Sequence, residues 1–490
     1  MTLLPFLLLP AFPLRLVGQC PDGSAPPCAR PVVRTPPPNS VAVLYFDNLS
    51  PDTADAYLAA GLTEEIIIRL GQVQRLNVKS QFEVQRFRGR PTGDPRALGR
   101  SLDVQYLISG SVQRLGGRVR LRLALVRADT RAHVWGDVID RASGDLLKVE
   151  SEIALEVATA VTGQVLPDER ARLARALTTD PVAYEEYLRG LPVLNGSFDE
   201  GSIRSAIAHF DRAIARDSGF AAAFAAQADA WVGLADGFVS PREGYGRARA
   251  AASAALARDS SQAVAYSILA NAALALDLDA RESERLAQRA VALEPRDGES
   301  RNTLSQALLA EGRFEESVTE ARRAWQLDSL ESFNGVWYAN VLVYGRRFDS
   351  AAALVPRLRT VALPADAEAV RGLLLAAKGD WRAARPLLSW RYYGGWSAGT
   401  YVRALLAGGD SALARSTVDS MIAARSMGYY NPLALARAYA ALGDVEHGIE
   451  WLRRAFDERT IWLRVVRVDD ELTLLRADPR YAELDRQLRY

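Results

Sequence analysis

Cysteine, lysine, histidine and long apolar runs are all scarce in this sequence. Its 490 residues include two cysteines, three histidines and three methionines, and the lysines are Lys79, Lys148 and Lys378. Two cysteines without a nearby histidine cannot build a zinc site. Arginine replaces the missing lysine, so 60 Lys+Arg stand against 59 Asp+Glu for a net charge of +1. That balance gives no general attraction to nucleic acid or to an acidic membrane. The arginine excess beside much alanine fits a GC-rich genome better than a phosphate-binding surface. After residue 40 no uncharged apolar run approaches the roughly 20 residues of a membrane-spanning helix, so no integral membrane segment is expected in the mature chain. What remains is globular material, 49% hydrophobic and 24% charged, long enough for two or three domains.

The first 19 residues, MTLLPFLLLPAFPLRLVGQ, are apolar but short, broken by Pro5, Pro10, Pro13 and Arg15. They read as a secretory signal cleaved near Gly18, although the leading region lacks Lys or Arg. A periplasmic or secreted protein is expected. Leu16 to Cys20 approaches a lipoprotein box, with Gln19 where a small residue belongs, so a lipid anchor at Cys20 is the lesser reading. Cys20 and Cys28 flank an Asp-Gly turn and two prolines, which suits a short disulfide loop in an oxidising compartment. The alternatives are two free thiols or a lipidated Cys20 with Cys28 left over. A proline-rich linker, ARPVVRTPPPN, runs to residue 39.

From residue 40 to 165 the pattern is α+β, a mixed sheet with helices. A strand is predicted at 41–46, then a helix beginning at Asp52-Thr53 through ADAYLAAGLTEEIIIRL. RLNVKSQFEV reads as a strand, and Asp94-Pro95 opens a short helix. VQYLISGSVQR and RVRLRLALVR around Gly116-Gly117 form a hairpin, TRAHVWGDVIDR adds a strand, and Ser143 caps a helix ending at Gly163.

From residue 180 to 490 the chain is helical and periodic. The segments ARDS, ARDS, ALEP and QLDS end at Ser218, Ser260, Pro295 and Ser329, separated by 42, 35 and 34 residues. This is the tetratricopeptide period of about 34, with one unit lengthened. Small residues recur where paired helices cross: Ala228, Ala270, Ser305 and Ala339 on first helices, and Ala206, Ala248, Ser283, Ser317 and Ala351 on second helices. Ala213, Ala255, Ala290 and Ala324 follow seven residues on. A larger side chain there would force the helices apart. An all-α tetratricopeptide-repeat solenoid of about seven units, closed by a C-terminal cap, is expected.

Candidate chemistry is sparse. Asp47 follows the first strand without the glycine-rich turn that a phosphate site requires. Gly395 to Gly399, GWSAG, matches the nucleophile-elbow pattern with Ser397 as nucleophile, but it follows a helix-like stretch and only His447 lies downstream. His133, His209 and His447 are scattered, and GYGRAR at 244 lacks the third glycine of a dinucleotide fingerprint and reads as part of an insertion. Arg118, Arg120 and Arg122 share one strand face, read as solvated. The stacked first helices line a groove by construction. Beside each small packing residue stands a polar one, Asp229, Asn271, Gln306 and Asn340, with Asn302 one turn before Gln306. Amides offer donor and acceptor to an extended peptide, so these five are the candidate partner-binding residues.

SVAVLYFDNLSPDTADAYLAAGLTEEIIIRL, with FRGRPTGDPRALGRSLDVQYLISGSVQRLGGRVRLRLALVRADTRAHVWGDVIDR, resembles the bacterial TolB N-terminal/FlgO-like domain over residues 40 to 165. The resemblance implies a non-catalytic envelope-side module without catalytic residues to transfer and without a cofactor. The expectation is a non-enzymatic scaffold that binds an envelope protein or peptide through the repeats. The second reading is a regulatory input module serving a kinase, cyclase or transcription factor on another chain, and the third a serine hydrolase at Ser397.

Overall fold

Strict alternation of apolar and charged residues sets the sheet. In β5 (Arg118–Arg127) the side chains of Val119, Leu121, Leu123 and Leu125 are buried while Arg118, Arg120 and Arg122 face outward. The structure, a computed structural model, describes residues 35–489 except 90–92, 330, 362–363, 392–395 and 427. The expected signal segment and the Cys20–Cys28 loop therefore lie outside the described residues. Everything below belongs to the unit that begins at Pro37.

β1 (Ser40–Val43) pairs in parallel with β3 (Asn77–Val78) on one side and β4 (Tyr106–Leu115) on the other. β2 (Asp47–Asn48) continues along β4 at Ser111 and Val112. β4 and β5 form the antiparallel hairpin around Gly116-Gly117, both at positive φ, and β6 (His133–Ala142) adds to β5. The order is β3-β1-β4-β5-β6. Helix α1 (Ala56–Gly71) packs with α4 (Val149–Thr162) against this sheet.

Three local expectations are corrected. The strand predicted over RLNVKSQFEV shrinks to β3, because Ser80 accepts a bond from the Glu83 amide and starts α2 (Gln81–Gln85). The strand predicted over 41–46 ends at Val43. Ser143 does not cap a helix; its hydroxyl donates to the Gly117 carbonyl and a 3-10 turn, Ser143–Lys148, precedes α4. Helix α3 (Pro95–Leu102) starts as read, with Asp94 accepting from the Arg96 amide.

After α5 (Pro167–Leu173) come eight helix pairs among the described residues, one more than expected. The first five are α6 (Pro181–Leu194) with α7 (Glu200–Arg216), α8 (Ala221–Gly237) with α9 (Pro241–Arg258), α10 (Ala263–Ala272) with α11 (Ala280–Leu293), α12 (Gly298–Ala310) with α13 (Phe314–Leu327), and α14 (Ser332–Tyr344) with α15 (Phe348–Val361). α16 (Pro364–Ala377) has a short partner, α17 (Trp381–Ala384); α18 (Ala398–Ala407) pairs with α19 (Ser411–Arg425) and α20 (Pro432–Leu442) with α21 (Val445–Glu458). α22 (Thr473–Arg476) and α23 (Tyr481–Asp485) follow. This is a tetratricopeptide solenoid joined to an α+β N-terminal part. The residues added in the 42-residue unit lengthen α8 and α9 rather than forming an insertion loop, so Gly244, Tyr245 and Gly246 are helical.

The crossing residues behave as their size requires. Ala228, Ala270, Ser305, Ala339, Ala206, Ala248, Ser283, Ser317 and Ala351 are all fully buried. In the fourth pair the approach is recorded directly: Ser305 Oγ lies 2.9 Å from the Ser317 carbonyl and Ser317 Oγ lies 2.7 Å from the Ser305 carbonyl. Gly190 fills the same need between α6 and α7, where any Cβ would strike the Phe210 ring. Ala339→Leu is expected to destabilise the chain by about 1–3 kcal/mol, read from urea denaturation; an unchanged midpoint would refute the close crossing.

One core runs from β1 through α1 and α4 into α6, α7 and α8. A buried polar network crosses the same junction. Arg69 Nε lies 2.9 Å from Glu65 Oε1 and its Nη2 3.4 Å from Glu150, all 1% exposed. Its Nη1 donates to the carbonyls of Leu173 and Arg175, 3.0 Å each. From α6, Tyr187 donates to Glu65 at 3.0 Å. Glu64 accepts from Tyr45 at 2.8 Å and from Asn195 at 2.9 Å. Burial still raises Glu64 to about 7 and Glu150 to about 8, against the pull of Arg69 on the latter.

Candidate functional site

The first helix of each pair lines one hollow, and the five predicted groove residues sit on α8, α10, α12 and α14. Their surroundings differ. Asn302 Nδ2 donates to Asn334 Oδ1 at 2.9 Å, and Asn334 donates on to the Asp328 carbonyl at 3.3 Å. Asn302 thus ties two successive repeats together, as the Ser267–Ser300 contact at 3.1 Å ties the preceding two. Asn340 is 2% exposed, and the Oδ1 atoms of Asn271, Asn302 and Asn340 accept no hydrogen bond. Gln306 accepts from the guanidinium of Arg464, 158 residues away in sequence.

That last bond corrects the expectation of an open groove. Residues 460–469 leave α21 and pass through the hollow. Ile461 packs with Ala235, Tyr245, Ala272 and Ala275. Arg464 stacks 4.9 Å from the Trp337 ring centre and 4.7 Å from that of Trp462. Val465 joins the core around Leu309, Trp337 and Ala339, while Leu463 and Val466 join that around Leu433 and Leu278. Arg437, 2% exposed, holds the exit of the segment through Asp469 at 2.7 Å. Further on, the Arg489 backbone bonds to Leu278 and Ala280 at 2.7 and 2.8 Å, a short parallel bridge. The physical reason is apolar area: Ile461, Leu463, Val465 and Val466 are all 7% exposed or less, and burying each contributes about 1.5–3 kcal/mol.

Beside this segment the hollow is acidic. Asp229 and Asp236 come from α8; Asp236 accepts from the Tyr245 hydroxyl at 3.0 Å. Asp297 and Glu331 cap α12 and α14, accepting backbone amides at 2.8 and 2.7 Å. Glu299 lies in the first turn of α12 and Asp366 in that of α16. Enclosure among the helices, then the charges of Asp236 and Asp297, raise Asp229 to about 6. Enclosure raises Glu331 to about 7 and holds Glu299 well above the usual carboxylate range, with Asp229 and Asp297 adding to the latter. Asp236 and Glu299 are nevertheless open to water. They are walled in by helices without being sealed.

The other constellations do not assemble. Ser397 is fully buried and its hydroxyl donates to the Ser389 carbonyl at 2.9 Å. His447 bonds to Asp444 at 2.8 Å and stacks on Tyr439. Among the described residues no hydrogen bond joins Ser397 to His447. Asp47 is exposed on β2. His209 bonds Glu186 at 2.9 Å, and His133 is exposed at the start of β6. Arg118 and Arg120 both hold Asp140, at 2.8 and 2.7 Å. No group of three or more His, Cys, Asp or Glu among the described residues is placed to hold a metal ion, and no described helix is long and apolar enough to cross a membrane. Sequence reasoning missed Arg464 and the acids at the helix starts. The recurrence of Asp297 and Glu331 at the repeat period was the available signal.

No family model matches the chain. It is 32% identical over 197 residues to a protein of Rhizobium meliloti (strain 1021) named "Putative adenylate cyclase 3", a match covering 40% of this chain. The chain spans about a third, 33%, of that relative's length. The expectation of a non-enzymatic protein is corrected by this finding, since this relative carries an enzyme's name. Similar solved structures include PilW, a widely conserved type IV pilus biogenesis factor, at 15% identity and TM-score 0.35 over 42% of this chain and 90% of that one. Pseudomonas aeruginosa pilF gives 17% and 0.33 over 45% and 92%. YrrB, a tetratricopeptide protein with an unusual peptide-binding site, gives 20% and 0.28 over 42% and 94%.

Proposed function

We propose that the chain is a polypeptide-binding scaffold of the bacterial envelope, in which residues 40–165 are a TolB N-terminal/FlgO-like docking module and the repeats receive a protein partner. In this reading residues 1–19 direct it out of the cytoplasm. The observation that carries the proposal is the hollow itself, which already holds a polypeptide, the chain's own residues 460–469. A groove that accommodates one such segment offers the same apolar and amide contacts to another. The internal segment acts at high effective concentration, so an outside peptide competes poorly until that segment is weakened. A labelled peptide of residues 459–470 is therefore expected to bind the Arg464→Ala, Val465→Ala chain at least about tenfold more tightly than the unchanged chain. Absence of binding to both would remove the reading.

A second reading rests on the relative named as an adenylate cyclase and places the chain in nucleotide-cyclase signalling. Cells given this chain would then change their cyclic AMP level, and an unchanged level would dismiss it. The two readings separate by compartment, because ATP is held in the cytoplasm. An alkaline phosphatase fusion after residue 40 is active under the first and inactive under the second.

A further inference from the structure

Six carboxylates, Asp229, Asp236, Asp297, Glu299, Glu331 and Asp366, come from the first helices α8, α12, α14 and α16 or their N-caps, and among the described residues none of them makes an ion pair. Elsewhere this chain pairs its acids freely: Asp140 has two arginines, and Glu186 has Arg212 at 2.6 Å. Enclosed like charges repel, and the enclosure removes part of the water that would screen them. Asp366 sharpens the anomaly. It is fully buried and neither of its carboxylate oxygens accepts a hydrogen bond, although a buried polar group is ordinarily satisfied. It lies near enough to Glu331 for its charge to help raise that residue. Asp236 and Glu299, by contrast, are open to water and so within reach of a ligand.

On the polypeptide-binding reading above, we infer that this acidic wall is the recognition surface for a cationic segment of the partner, one bearing several arginine or lysine side chains. One cation already enters the hollow: Arg464 donates to Gln306, lies over the Trp337 ring, and its charge pulls against the rise of Asp236. A single metal ion does not fit, because no three of the described carboxylates are placed together on one ion. The carboxylates come from four different helices instead, which suits a ligand with several separate cations rather than one ion. Long, flexible basic side chains also reach carboxylates set at different depths.

The test uses the full chain with fluorescein-labelled hexa-arginine, hexa-lysine and hexa-glutamine peptides, and with spermidine as competitor. The cationic peptides are expected to bind, with affinity falling about tenfold or more between 50 mM and 500 mM salt, and the glutamine peptide is not. The chain carrying Asp229→Asn, Glu299→Gln and Glu331→Gln should lose at least about tenfold in that binding. Removing like-charge repulsion leaves this variant folded, which circular dichroism checks, and Asp366→Asn alone should give a smaller loss in the same direction. Equal binding of all three peptides, unaffected by the substitutions, would overturn the acidic wall while leaving the polypeptide groove standing. Binding of spermidine without any peptide would overturn the inferred ligand class. Loss of cationic binding in the chain with the amide substitutions, while residues 459–470 still bind the Arg464→Ala, Val465→Ala chain, would support the inference with the groove intact.

Discussion

Replacing Arg69 with methionine is expected to cost the chain about 3–5 kcal/mol of stability. Arg69 is 1% exposed and sits between Glu65 and Glu150, themselves 1% exposed. Removing it leaves the Glu65 and Glu150 carboxyl groups without their partner in an apolar junction and the Leu173 and Arg175 carbonyls without their donor. The attraction between the charges is not the main loss, since well-packed apolar groups replace buried ion pairs at little cost. The penalty comes from breaking the set unevenly. The companion variant, Arg69→Met with Glu65→Gln and Glu150→Gln, should therefore recover a large part of it. Urea denaturation of both chains reads the difference. A single variant as stable as the parent would mean that this junction does not hold the α+β part to the first repeat.

The second large effect is a stability profile inverted with respect to most acidic groups. Glu64, Glu83 and Glu150 are 3% exposed or less, and Asp366 is fully buried. Burial raises them to about 7, 7, 8 and 6 respectively, with Asp328 adding to the rise of Glu83. Each folded-state pKa lies above the unfolded value, so between about pH 4 and 8 the folded chain holds protons that the unfolded chain has released. Their contribution is complete below the unfolded pKa and disappears as pH climbs through the folded one. A shift of two units is about 2.7 kcal/mol for one isolated group, and at least about 3 kcal/mol in total is expected between pH 5 and 8. Stability should thus rise on acidification through that window. Below it the trend turns, because groups such as Asp140, lowered by Arg120 and Arg118, then protonate. Chemical denaturation at half-unit pH steps gives the profile, and Glu64→Gln with Asp366→Asn should flatten it. A profile already rising with pH from 5 to 8 would contradict the burial of these acids.

The repeat architecture was legible because its constraint is local and periodic. A helix crossing tolerates only small residues, so Ala228, Ala270, Ser305 and Ala339 advertise it at fixed intervals. The hairpin was legible for a similar reason, two alternating runs around Gly116-Gly117. The buried charges were not. Glu64, Glu65 and Arg69 look like the solvent face of a helix, and their partners Glu150, Tyr187 and Asn195 lie far along the chain. The path of residues 460–469 was hidden likewise, since IWLRVV has no repeat partner and reveals its role only when the solenoid brings Trp337 and Gln306 to it. The α+β part and the first repeats were read as separate domains, 40–165 and 180–490, and the structure adds that one core runs across the connection. The cyclase-named relative has its counterpart only in the second reading, a regulatory module serving a cyclase on another chain.

Stacked repeats usually melt from the ends inward, each unit answering only to its neighbours. The bridge from Arg489 to Leu278 and Ala280 changes that behaviour here. The final turns are stitched to the third helix pair, so fraying at the tail must first tear a seam in the middle. Pulled in an optical trap, the repeats between the seam and the tail should give way in one large rip rather than in single steps. Refolding should be correspondingly slow, because the loop must close before the seam can form.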